Sequence, residues 1–94
     1  MIFEWDENKN TTNIVKHNLD FDTAVLVFGD DNRIVKYDAA HSWHEERYIT
    51  IGSVNGMITV LMVVYTENEE VIRIISARLA NQREKDEYYK HLRS

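Results

Sequence analysis

The spacing of hydrophobic and polar positions changes several times along the chain, and each change marks an element. A short apolar run, Ile2 to Trp5, precedes Asp6, whose carboxylate suits the free N–H groups at a helix start, and a breaker-free polar stretch from Glu7 to His17. This predicts a strand and then a helix. Asn18 is expected to end the helix, because asparagine tolerates the left-handed backbone just past a helix C-terminus. Phe21, Ala24, Val25 and Phe28 recur at i, i+3, i+4 and i+7 behind Asp20, the pattern of a second amphipathic helix, which Gly29 closes. The turn formers Asp30-Asp31-Asn32 lead into Arg33 to Tyr37, which alternates weakly and is expected as an edge strand.

Glu46 to Val54 and Met57 to Thr66 flank Asn55-Gly56, a pair suited to a type I′ hairpin turn because both of its central residues need positive φ. In the second arm both alternating sets are apolar, with Met57, Leu61, Val63 and Tyr65 on one side and Ile58, Val60, Met62 and Val64 on the other. Strands covered on both faces read this way, so this one is expected at the centre of the sheet. The acidic turn Glu67-Asn68-Glu69-Glu70 precedes a strand from Val71 to Ser76 and a helix that starts at Ala77 or Asn81 and runs to Leu92. The expected order is β-α-α-β-β-β-α, an α+β fold with helices packed on one face of a mainly antiparallel sheet.

A length of 94 residues, 44% of them hydrophobic, suits one compact domain spanning 1–94 and is short for two. The longest apolar run, Val60 to Tyr65, is far below the roughly 18 residues of a membrane span. Met1 to Asp6 lacks the basic start and apolar stretch of a secretion signal, and cysteine is absent, so a cytoplasmic location is expected. The missing cysteines also exclude thiol catalysis, zinc ribbons and iron–sulfur clusters. A net charge of −5 argues at first against nucleic acid, but it is unevenly spread. Residues 1–47 hold five Lys/Arg against ten Asp/Glu, and residues 48–94 hold six against six. Any anion site must therefore be a local cluster of cations assembled by the fold.

Phe3-Glu4-Trp5-Asp6 with Lys9, Asn13 and Lys16-His17, then Phe21, Ala24 and Phe28, then Glu46-Arg47 with Ile51-Gly52, and finally Ile72 to Arg78 with Ala80, Glu84 and Tyr88 resemble the BrnT family of toxins over nearly the whole chain. The resemblance implies a RelE-like fold and a metal-independent ribonuclease that inhibits translation. It also implies a BrnA-like antitoxin partner with a ribbon-helix-helix type DNA-binding domain, through which alone operator DNA would be reached. Two positions depart from the family pattern. Asn18 stands where glycine is usual, and Asn68 where an arginine is common.

Metal-free RNA cleavage needs a base for the attacking 2′-hydroxyl, a cation for the charge developing on phosphorus, and an acid for the leaving oxygen. Arg73 is a candidate cation, because Val71 and Ile75 beside it in alternation are apolar and a guanidinium there must be paired or face an anion. Arg47, before Ile49 and Ile51, and Arg78, at the strand-to-helix junction, are the other two. Structural ion pairs are the competing reading for each. His17 is the natural proton-transfer residue, since imidazole ordinarily titrates near physiological pH. Lys9, Asn13, Lys16 and His17 fall at i, i+4, i+7 and i+8, one polar helix face on which Lys9 and Lys16 would bind substrate. Alternatively, Lys16 and His17 only complement the helix dipole.

Glu84 reads as a general base with Tyr88 one turn on, or as one half of a capping box with Asn81. Tyr88 itself reads as an acid or as a core aromatic. His41-Ser42-Trp43-His44 lacks the ligands that would complete a metal shell and is read as a surface loop, with Trp43 available to a partner. No metal or other cofactor is expected. The resulting expectation is an endoribonuclease toxin held by its antitoxin, with an inactive relative that keeps only the protein interaction as the alternative. The acidic N-terminal half suits a basic surface on that partner.

Overall fold

The computed structural model describes residues 1–56 and 59–94. Strand β1 (Ile2–Trp5) leads into helix α1 (Glu7–His17), then α2 (Phe21–Val25) and a tighter 3₁₀ turn over Leu26–Gly29. Strand β2 (Ile34–Tyr37), a 3₁₀ turn over Ala39–His41, β3 (Tyr48–Val54), β4 (Thr59–Asn68), β5 (Val71–Leu79) and helix α3 (Gln82–Leu92) complete the chain. The five strands form one sheet in the order β1-β5-β4-β3-β2, antiparallel except where β1 runs parallel to β5. The α+β class, the edge position of β2 and the central position of β4 agree with expectation. Four strands follow α2, one for each of the four strand segments expected there, so the expected element order counted one strand too few.

The caps act as the sequence suggests. Asp6 accepts from the Asn8 N–H at 2.8 Å, Asp20 accepts from that of Thr23 at 2.8 Å, and Asn18 is left-handed with φ of 54°. Asn81 and Glu84 form a reciprocal capping box, so α3 begins at Gln82 and residues 77–79 extend β5 instead. Asn55 and Gly56 both have positive φ, 54° and 67°. The ladder, however, pairs Val54 with Thr59 and Ser53 with Val60, a register that joins the arms through four residues, not the two of a type I′ turn. A shift of two keeps every side chain on its face. The expected start of the second arm, Met57-Ile58, lies outside the described residues.

One expectation fails. α3 does not share a face with α1 and α2. Phe21, Ala24, Val27 and Phe28 pack with Leu61, Val63, Tyr65, Ile72 and Ile74 on one side of the sheet, while Tyr88 and Ala80 pack with Ile51, Val60 and Met62 on the other. The cause is visible in β4, whose two apolar sets each need a cover. Gly52 marks a close approach, because a Cβ there would meet the Cβ of Arg33 at 2.9 Å and Val27 Cγ1 at 3.1 Å.

Candidate active site

Helix α1 lies along β5 where β1 has ended at Trp5, opposite Ile74. Asn13 closes that open edge. Its amide donates to the carbonyl of Ala77 at 2.8 Å and accepts from the Ala77 N–H at 3.1 Å, as a neighbouring strand would, and donates to Leu19 O at 2.8 Å. Asn13 is therefore buried, and the polar face of α1 looks toward the sheet while Ile14 and Val15 are exposed. That inverts the usual arrangement. The polar face instead forms a cleft wall.

The cleft, about 390 Å³, is lined by Asn8, Lys9, Thr12, Asn13, Lys16 and His17 of α1, by Ile75 and Ser76 of β5, and by Arg47. Its floor depends on an irregularity in β5. Tyr65 pairs with Ile74 but Val64 with Ser76, so Ile75 is an extra residue that bulges and resets the alternation after it. Arg47 precedes β3 and is fixed through its backbone, whose N–H donates to Ser42 Oγ at 2.9 Å and whose carbonyl accepts from the Asp38 N–H at 2.8 Å. Its guanidinium has one distant carboxylate, Glu45 at 3.6 Å, and its Nε is buried without a hydrogen-bond partner among the described residues. An anion is the partner such a group lacks. Among the described residues no carboxylate lines this cleft.

Four of the eight expected site residues thus come together: Lys9, Lys16, His17 and Arg47. The other four stand elsewhere. Arg73 faces Glu4, its register partner on β1, with Nη1 2.8 Å from Oε2. It borders a second cleft of about 620 Å³ that is lined by Glu4, Glu45, Glu46, Glu67 and Glu69. The sequence argument for Arg73 assumed unbroken alternation to Ile75, and the bulge at Ile75 breaks it. Arg78 donates from Nη1 and Nη2 to the two oxygens of Glu84 at 2.8 and 3.0 Å, and Glu84 also accepts from the Asn81 N–H at 2.9 Å. Burial alone would raise the Glu84 carboxyl, but the Arg78 and Asn81 bonds outweigh it and hold the group below its ordinary range.

Tyr88 is wholly buried, and its hydroxyl donates to Asp30 Oδ2. Burial first and the Asp30 bond second push this phenol above its ordinary range, which keeps it protonated. Asp30 is held low despite burial, because Tyr88, Ser53 and Asn32 all donate to it. This network ties α3 to β3 and to the turn after α2.

Sequence reasoning missed Ser76 and Thr12 as cleft residues. Thr12, three residues after Lys9, was within reach of the helical period, whereas Ser76 depends on the bulge. Among the described residues no group of three His, Asp or Glu side chains comes together as a metal site, and no helix is long and apolar enough to cross a membrane. Residues 5–84 match the family model described as ribonuclease toxin, BrnT, of type II toxin-antitoxin system. No curated protein matches the chain.

Proposed function

The chain belongs to the BrnT ribonuclease toxins of type II toxin–antitoxin systems, and on that premise we propose that it is an endoribonuclease that cleaves RNA without a metal, with the α1–β5 cleft as its active site. One observation carries this reading: Lys9, Lys16 and His17 of α1 and the distant Arg47 line one cleft that, among the described residues, no carboxylate enters. Lys9 and Lys16 bind the phosphates on either side of the scissile bond as point charges. Arg47, whose planar fork can grip two phosphate oxygens, stabilises the charge that develops on phosphorus. His17 moves a proton at the 2′-hydroxyl or at the leaving oxygen. Arg73, Arg78, Glu84 and Tyr88 hold the frame through the pairs described above.

In this reading the whole chain works as one domain in the cytoplasm, inhibits translation by destroying RNA, and is neutralised by a BrnA-like, ribbon-helix-helix type antitoxin. The acid-rich N-terminal half favours a basic partner surface, so association of the two proteins should slow as salt rises. The test of activity is direct. Purified protein incubated with RNA in EDTA should produce fragments with 2′,3′-cyclic phosphate and 5′-hydroxyl ends. Loss of all cleavage in EDTA, restored by Mg²⁺ or Mn²⁺, contradicts the metal-free mechanism, and no cleavage in either buffer supports the inactive-relative alternative.

A further inference from the structure

A third cleft, about 280 Å³, continues from the first, for Arg47, Ile75 and Ser76 line both. It runs over Ile49, Met62 and Val64 to Asp38 and His41. Arg47 thus stands between two imidazoles, His17 at one end and His41 at the other. The surroundings of His41 are built. Its Nδ1 lies 3.1 and 3.2 Å from the two oxygens of Asp38, whose side chain is only 12% exposed while that of His41 is 66% exposed. A carboxylate only accepts, so Nδ1 carries the hydrogen in this pair and Nε2 is turned to other work. The same segment is tied to Arg47, since Ser42 Oγ accepts from the Arg47 N–H and donates to the Asp38 carbonyl. The loop that presents His41 therefore also places the guanidinium.

We propose that His41, oriented by Asp38, is the general acid of RNA cleavage and His17 the general base, a reading that rests on the α1–β5 cleft being the active site. His17 removes the 2′-hydroxyl proton as the 2′-oxygen forms its bond to phosphorus. Arg47 holds the non-bridging oxygens, the bond from phosphorus to the 5′-oxygen breaks, and His41 delivers its Nε2 proton to that oxygen. The products are a 2′,3′-cyclic phosphate and a 5′-hydroxyl, and exchange with water restores both imidazoles. The roles follow from the neighbours. Asp38 orients the ring of His41 through Nδ1 and so presents Nε2 to the leaving oxygen, whereas His17 stands at the other end beside Lys9 and Lys16, which hold the substrate. Asp38 is a positioning residue.

The test compares an ordinary oligoribonucleotide with one whose 5′-bridging oxygen is replaced by sulfur, a leaving group that needs no proton. His41→Ala should slow the ordinary substrate by about 10²–10⁴-fold and cleave the sulfur substrate at close to the unmodified protein's rate. Asp38→Asn should behave in the same way with a smaller loss and an unchanged KM, and His17→Ala should be slow on both substrates. Melting temperatures and a second variant, His41→Gln, separate chemistry from folding. His41→Ala cleaving the ordinary substrate at full rate, or slowed equally on both substrates, overturns the proposal. Unmodified protein that cleaves neither substrate overturns the ribonuclease reading beneath it.

Discussion

Two clefts open on the same sheet with opposite charge, and Arg47 and Arg73, arginines of similar sequence context, end up one in each. The smaller cleft collects Lys9, Lys16, His17 and Arg47, and the larger collects five glutamates around Arg73. Size alone would choose the wrong one for a polyanion. Charge decides between them, because an acidic chain can bind phosphate only where the fold has moved its carboxylates away. Arg73 is neutralised by Glu4 at 2.8 Å, whereas Arg47 keeps a buried Nε that has no hydrogen-bond partner among the described residues. The difference comes from register: β1 ends before it reaches the bulge at Ile75, and α1 takes over that edge with its cations.

The comparison is most exposed to failure at Arg47. Arg47→Ala should lower the cleavage rate by about 10²–10³-fold, or roughly 2.7–4 kcal/mol, with little change in melting temperature. Lysine in its place should restore only part of the rate, lacking the planar fork. Arg73→Ala should leave cleavage within a few-fold and cost no more than about 1 kcal/mol of stability, because its pair is half-exposed and screened. Equal effects at the two arginines would dissolve the distinction between the clefts.

Next in size are the groups that place the cleft without lining its chemistry. Asn13→Ala orphans the Ala77 N–H and two carbonyls, at a cost of about 1–3 kcal/mol for each group left unsatisfied. Both unfolding midpoint and cleavage should fall, since α1 then loses its seat. Tyr88→Phe removes the donor to Asp30 from the opposite face and should cost about 1–3 kcal/mol in urea unfolding while sparing the chemical step. A rate loss there without a stability loss would return Tyr88 to the list of acids.

Smaller effects are expected of the lysines. Lys9→Ala and Lys16→Ala should each raise KM and reduce the dependence of RNA binding on log salt by about one phosphate contact. The smallest effect concerns acid pH. Asp30 and Glu84 sit below their ordinary values of 3.8 and 4.5 in the folded protein, so the unfolded chain binds protons first as pH falls. Their contribution is fully present above those values and is lost as pH drops through them and on through the lower folded ones. Urea midpoints should therefore hold near neutrality and decline below about pH 5.

Much of the frame was legible because local chemistry dictated it. Asp6, Asp20, Asn18 and the Asn81–Glu84 box each cap as their side chains allow, and the doubly apolar β4 announced its central place. The same doubly apolar pattern also required a second helical layer, which an expectation of helices on one face overlooked. In the site, helical period brought Lys9, Lys16 and His17 together within one element. What could not be read was long-range: the bulge at Ile75 that misled the alternation argument for Arg73, and the carboxylate of Glu4 delivered by a parallel strand. Each depends on register between segments distant in sequence, which no local pattern encodes.

The central claim is that RNA lies in the small cationic cleft and avoids the large acidic one. Titrating isotope-labelled protein with an oligonucleotide made uncleavable by 2′-O-methylation, and following amide and side-chain resonances, tests it most directly. The account predicts that the largest shifts fall on Lys9, Thr12, Lys16, His17, Arg47 and Ser76, with Glu4, Glu67, Glu69 and Arg73 unmoved. Shifts concentrated on the Glu4–Arg73 side, with the α1 cleft unmoved at saturation, would contradict it.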